Sequence, residues 1–241
     1  DVYKRQCPTW CHVSRSDCSS IMTSASASFD PWPLLRKHSS SDQRRALRLV
    51  VHGRSGGVIP GCLCTLEEQL KLIRRAPVQL EVLTAEKDLK DLNSPAWLFP
   101  LLLWPGSHVC SDVPAIRAQL RGCGVNVTML PFLGALPQWW IAVMTALAPE
   151  LSAQSVLIHH PLRPGVADRF LAMLASRLAL PLVPFDAWPE FQQRHPKARP
   201  LPLTLAPNRM TDALSEAGGL PPLLEHPPTR QALIDLLVSL P

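Results

Sequence analysis

Two short segments carry the residue types that metal and proton chemistry need. Val50-Val51-His52-Gly53-Arg54-Ser55-Gly56-Gly57 follows one apolar run, and Trp104-Pro105-Gly106-Ser107-His108-Val109-Cys110-Ser111-Asp112-Val113-Pro114 follows another. Neutral imidazole is a borderline ligand for divalent transition-metal ions. Its pKa near ~6.5 also lets it accept a proton at neutral pH. Glycine lies close to each histidine, so the backbone can turn sharply and leave room for a flat ligand. One loop histidine is ordinarily a surface residue. Two at equivalent places after equivalent runs are a candidate pair.

The elements that must position this pair follow from periodicity. Leu47–Val51 reads as a buried strand feeding the first loop. Thr65-Leu66-Glu67-Glu68 reads as a capping box that opens a helix with Leu66, Leu70 and Ile73 on one face. Val78–Thr84, Trp97–Leu103 and Val125–Leu130 predict three more strands. Asp112 is placed to cap a helix through about Leu120, and Pro137–Ala148 predicts a closing helix in which Trp139 and Trp140 serve core or interface packing. Strand–helix alternation calls for a parallel sheet with helices on both faces. Both histidines then fall at carboxyl ends of strands, the edge where open α/β sheets bind ligands.

The second half repeats the first. Leu49-Val50-Val51-His52 matches Val156-Leu157-Ile158-His159, and Pro100–Pro105 matches Pro202–Pro207. Leu130-Pro131-Phe132-Leu133, followed by Pro137, matches Leu220-Pro221-Pro222-Leu223, followed by Pro227. Three matches in the same order predict two similar α/β domains, residues 46–150 and 151–241. Residues 1–45 are Ser-rich and aperiodic and read as a flexible tail. Their opening, Asp1-Val2-Tyr3-Lys4-Arg5-Gln6, resembles translated adapter sequence, with Met22 the expected start.

Composition narrows the function classes. Of 241 residues, 46% are hydrophobic and 18% charged, which suits a packed core and excludes wholesale disorder. The longest apolar run, Ala96–Trp104, is far short of the ~20 residues of a membrane-spanning helix. No signal-peptide pattern opens the chain, so a cytoplasmic protein is expected, with no membrane partner. Of the formal net charge of +5, +3 falls in residues 1–45, +2 in 46–148 and none in 149–241. No basic block interleaves with aromatics, so nucleic acid is not an expected partner. The 7 cysteines, at 7, 11, 18, 62, 64, 110 and 123, make neither a disulfide framework nor a zinc site. Cys7-Pro-Thr-Trp-Cys11-His12 has one residue too many for haem attachment. Buried or incidental thiols are expected.

The pattern of an apolar strand ending in His52-Gly53, with Pro105-Gly106-Ser107-His108-Val109 and Asp112 after a second strand, resembles the CbiX family of sirohydrochlorin chelatases. These are ATP-independent, class II chelatases. Leu80–Glu86 is similar to the family's second strand, and the duplicated second half to its long, two-domain members. The resemblance implies two chelatase-like domains, each a parallel sheet flanked by helices. It implies a lyase that inserts Co2+ or Fe2+ into sirohydrochlorin for cobalamin or sirohaem biosynthesis. His52 and His108 would bind the metal and remove protons, and Glu86 would assist catalysis. No cofactor beyond the substrate metal is expected, and the partners would be the tetrapyrrole and the ion. The chain is expected to be a monomer with an internal pseudo-dimer.

The chain also departs from the family. The family usually reads His-Gly-Ser where this chain has His52-Gly53-Arg54. In the second copy Met210 replaces His108, while His159 keeps the place of His52, so the first half is the expected catalytic one and the second is degenerate. Two other readings remain. A non-catalytic carrier of tetrapyrrole or metal would share the fold, and Gly53-Arg54-Ser55-Gly56-Gly57 matches the nucleophile elbow of α/β-hydrolases, with Ser55 as nucleophile.

Overall fold

Apolar side chains at nearly every position of Ala46–Val51 and Ala96–Pro100 demand burial on both faces, and both segments are interior strands. The computed structural model describes residues 30–37, 45–83, 95–162 and 165–241. A short helix, α1 (Pro33–Lys37), precedes β1 (Ala46–Val51), α2 (Gly61–Arg74), β2 (Val78–Val82), β3 (Ala96–Pro100), α3 (Val113–Gly122), β4 (Val127–Met129) and α4 (Pro137–Leu147). The second lobe comprises β5 (Ser155–His159), α5 (Val166–Leu178), β6 (Leu182–Pro184), α6 (Trp188–Arg194), β7 (Arg199–Pro202), α7 (Arg209–Ser215) and α8 (Pro227–Val238). One sheet has the order β2-β1-β3-β4 and the other β6-β5-β7, and every pairing is parallel. The fold is thus the α/β class, with parallel sheets flanked by helices. In place of a fourth strand in the second sheet, Leu220 donates a single backbone bond to Pro200 O at 2.8 Å.

The two sheets share one core. Leu47, Leu49, Val51, Trp97 and Phe99 of the first sheet and Leu157 and Leu201 of the second pack with the apolar faces of α2, α4, α5 and α8. The outer face of the first sheet is covered by Val113, Ile116 and Leu120 of α3. The outer face of the second is covered by Trp188 of α6 and by Met210 and Leu214 of α7. Trp139 and Trp140 are buried in the shared core, the packing role expected of them.

Several boundaries differ from expectation for physical reasons. Helix α2 begins at Gly61, so Thr65 lies inside it and caps nothing. Starting earlier brings Leu63 into line with Leu66 and Leu70 on the core face. Ile73 is 49% exposed, whereas Arg74 is 1% exposed. The Arg74 guanidinium donates to Leu237 O at 2.6 Å, Leu240 O at 3.3 Å and Arg45 O at 3.1 Å. A charged side chain takes the core position because carbonyls at the end of α8 need donors. Strand β3 ends at Pro100, three residues before the expected Leu103. Its neighbour Leu101 still donates to Val50 O at 2.8 Å, after which the chain turns under the loop before α4.

That turn depends on a glycine. A Cβ on Gly134 would sit 1.8 Å from Leu103 O, so only glycine permits the close approach. Gly134 donates its N–H to Leu102 O at 3.0 Å, locking the end of the third strand segment just before the second histidine loop.

Candidate metal and proton-transfer site

The first loop is held by its own backbone. Arg54 N–H donates to Val58 O at 2.8 Å and Gly57 N–H to Arg54 O at 3.0 Å. Gly56 and Gly57 both have φ of 76°, the left-handed region in which glycine escapes the Cβ penalty. His52 stands immediately after β1, with Nδ1 donating to Gly53 O at 2.8 Å. A carbonyl only accepts, so the proton of the neutral ring is on Nδ1 and the lone pair is on Nε2.

The second loop uses an uncommon turn. Trp104 stacks on Trp140 with centroids 5.3 Å apart, and Trp140 in turn meets Phe170 of α5 at 4.9 Å. Beyond this anchor the chain makes one wide π-helical turn, His108–Asp112, in which Val113 N–H donates to His108 O. Such turns recur at functional sites because they re-aim a side chain within a helix. Asp112 provides no helix cap, contrary to expectation. Its carboxylate instead accepts a hydrogen bond from His108 Nδ1 at 2.5 Å. A carboxylate behind an imidazole fixes the ring, selects the tautomer and makes Nε2 a better donor to a metal or proton.

The structure brings His52 and His108 together. Their ring centroids are 4.9 Å apart, with planes inclined at 71°. Each ring commits Nδ1 to the protein and keeps an Nε2 lone pair for a ligand. Two such nitrogens suit a borderline divalent ion, and their basicity suits proton acceptance. Among the described residues, no group of three or more His, Cys, Asp or Glu side chains is arranged to hold a metal ion. Glu86 lies outside the described residues.

One histidine was misplaced by the sequence alignment of the halves. Leu101 N–H bonds Val50 O in the first sheet, and Leu203 N–H bonds Ile158 O in the second. Val50 and Ile158 both face outward, while Leu49 and Leu157 both face the shared core. The counterpart of Val50 is therefore Ile158, and that of His52 is His160, one residue beyond His159. Burial, then the neighbouring His159 and His52, push the His160 pKa below the usual imidazole value. The signal was available in the sequence: an odd shift between strands swaps their faces. Met210, which the sequence sets opposite His108, is buried in the outer core of the second sheet.

The other candidates separate from this pair. Helix α2 begins six residues after Ser55, so the loop lacks the tight strand–turn–helix form of a nucleophile elbow. Cys62 and Cys64 are half-buried, but Cys110 and Cys123 are exposed rather than buried. No helix among the described residues is long and apolar enough to cross a membrane.

No family model matches this chain, and no curated protein matches it significantly. Solved structures do. The sirohydrochlorin chelatase SirB from Bacillus subtilis subspecies spizizenii, in complex with cobalt, is 18% identical with a TM-score of 0.55, covering 82% of this chain and 95% of that one. SirB from Bacillus subtilis with Fe3+ is 15% identical with a TM-score of 0.60, covering 80% and 94%. CbiX, the terminal enzyme for biosynthesis of siroheme in denitrifying bacteria, is 19% identical with a TM-score of 0.59, covering 80% and 98%. Over four-fifths of its length, this chain has the fold of the sirohydrochlorin chelatases.

Proposed function

We propose that the protein is a metal chelatase that inserts Co2+ or Fe2+ into sirohydrochlorin, a lyase activity serving cobalamin or sirohaem biosynthesis. The observation that carries the reading is the His52–His108 pair, two imidazoles at the carboxyl edge of one sheet with both Nε2 atoms uncommitted. The likeness in fold to solved sirohydrochlorin chelatases supports the choice of substrate class.

Insertion requires that the ion lose water and that the macrocycle give up two pyrrole protons. In this reading His52 and His108 replace part of the ion's hydration shell through Nε2 and deliver the metal to the ring. Once the metal has moved on, the same nitrogens take up the displaced protons. Asp112 stabilises the imidazolium formed at His108, because its carboxylate already accepts the Nδ1 proton. Glu86 is proposed as a helper carboxylate. The two lobes are read as copies of one domain divided near residue 150, of which the first is catalytic and the second degenerate, together forming an internal pseudo-dimer in a cytoplasmic monomer. No cofactor beyond the substrate metal is needed.

The test is anaerobic absorption spectroscopy of sirohydrochlorin with Co2+, and separately Fe2+, with and without the full chain. Faster appearance of the metallated spectrum is expected. Stoichiometric binding without acceleration would establish the carrier instead, and no binding would overturn both.

A further inference from the structure

The second lobe brings an imidazole of its own towards the histidine pair. Val50 and Ile158 hold the same place in their sheets, so His160 leaves the carboxyl edge of the second sheet where His52 leaves that of the first. The two edges meet. Arg54, two residues past His52, donates from Nη2 to Asp212 Oδ1 at 2.7 Å, in the first turn of the helix that follows β7, the neighbour of β5. His160 is also within range of the charge on His52, which, after burial and the adjacent His159, lowers its pKa. Its side chain is exposed and meets Phe185 edge-on, with ring centroids 6.4 Å apart. Its carbonyl accepts from His159 Nδ1 at 2.7 Å. Among the described residues, neither of its ring nitrogens has a hydrogen-bond partner.

We propose that His160 is a proton acceptor of the insertion reaction, contributed by the second lobe, that takes pyrrole protons while His52 and His108 hold the metal. The inference rests on the chelatase reading and adds a residue to that site. The contrast between the three rings carries it. His52 and His108 each commit Nδ1 to the protein, which fixes the ring and aims Nε2, as metal ligands require. His160 has no such tie, so its ring can turn and can carry its proton on either nitrogen. Among the described residues, no three metal-ligating side chains are arranged around one point, so His160 does not complete the metal's shell. A nitrogen whose lone pair holds an ion cannot take a proton at the same time, which leaves that task to a nearby imidazole outside the shell. In the step, a pyrrole N–H bond breaks, its electron pair stays on the nitrogen that receives the metal, and His160 gains the proton. The imidazolium then passes the proton to water, and the ring is ready for the second pyrrole N–H.

The experiment measures initial rates of Co2+ insertion into sirohydrochlorin by the full chain, wild type and His160→Ala, with and without added lutidine. The methyl groups of this pyridine base hinder metal binding but not protonation, so it can replace a proton acceptor and cannot replace a ligand. His160→Ala should lower kcat about fivefold and leave the KM for Co2+ unchanged. The loss stays below the roughly hundredfold of a sole proton acceptor because His52 and His108 still take protons once the metal has moved on. Lutidine should restore most of the lost rate in the variant and leave the wild type unchanged. An unchanged rate in His160→Ala, or a loss that lutidine does not restore, would overturn the proton-acceptor role while leaving the chelatase reading intact. A wild-type chain that does not accelerate insertion would overturn both.

Discussion

After β3 and after β7 the chain leaves two similar parallel sheets at the same edge, yet it does different things. In the first lobe it makes a π turn, keeps His108 partly exposed and uses Asp112 to hold the imidazole. In the second lobe it enters α7 directly. Asn208 caps that helix, accepting from Met210 N–H at 2.9 Å and Thr211 N–H at 3.1 Å, and Met210 turns into the core. The short polar side chain near the helix start thus goes to the ring in one lobe and to the backbone in the other. A cap satisfies orphan N–H groups and stabilises the helix, whereas a carboxylate behind a histidine tunes a site. The contrast teaches that topology supplies the edge, and local hydrogen bonding decides whether chemistry is built on it.

The sharpest way to break this contrast is to remove imidazoles from each lobe in turn. His52→Ala and His108→Ala should each slow metal insertion into sirohydrochlorin by at least about a hundredfold, the lower range for a positioned proton acceptor. His160→Ala should cost less than about tenfold. Equal losses in all three, measured by initial rates on folded protein, would show that both lobes work the reaction.

Gly134→Ala tests whether the second histidine loop depends on the close approach of Gly134 to Leu103. The added Cβ would meet a backbone oxygen that cannot rotate away, so a loss of about 3 kcal/mol is expected, the upper range for overpacking. Urea denaturation would measure it, and an unchanged midpoint would show that the loop before α4 can shift.

Asp112→Asn should leave the fold intact and lower insertion activity by about tenfold, as removal of an orienting carboxylate does. An unchanged rate would mean that the π turn alone positions His108.

The smallest effect concerns Cys62 of α2. Burial, then Glu225 of the second lobe, pushes its pKa up to about 11 from an ordinary 9.0. The folded state therefore holds the thiol proton more tightly than the unfolded chain. The stabilisation is full below pH 9 and is lost as pH rises towards 11. Thermal melting between those values should fall less steeply in Cys62→Ala than in the wild type. Parallel curves would place Cys62 in a more open setting.

The α/β class, the parallel pairing and the paired histidine loops were legible in the residues alone. Double-sided burial of Leu47–Val51 and the alternation of strands with helices leave few other arrangements. Ile73 and Arg74 show where periodicity fails: either could have faced the core, and the unmet carbonyls at the end of α8, distant in sequence, chose the arginine. Asp112 shows the same for the site. A residue suited by type to capping was drawn away by an imidazole that only the π turn brought near. His160 was obscured by a one-residue ambiguity between similar apolar runs, which the hydrogen-bond register removed. Tertiary structure alone decided the Arg54–Asp212 pair, because no local pattern links a loop after the first strand to a helix 158 residues further on. Local sequence fixes what repeats within a few residues, while long-range partners depend on which carbonyls and charges the folded chain leaves unmet.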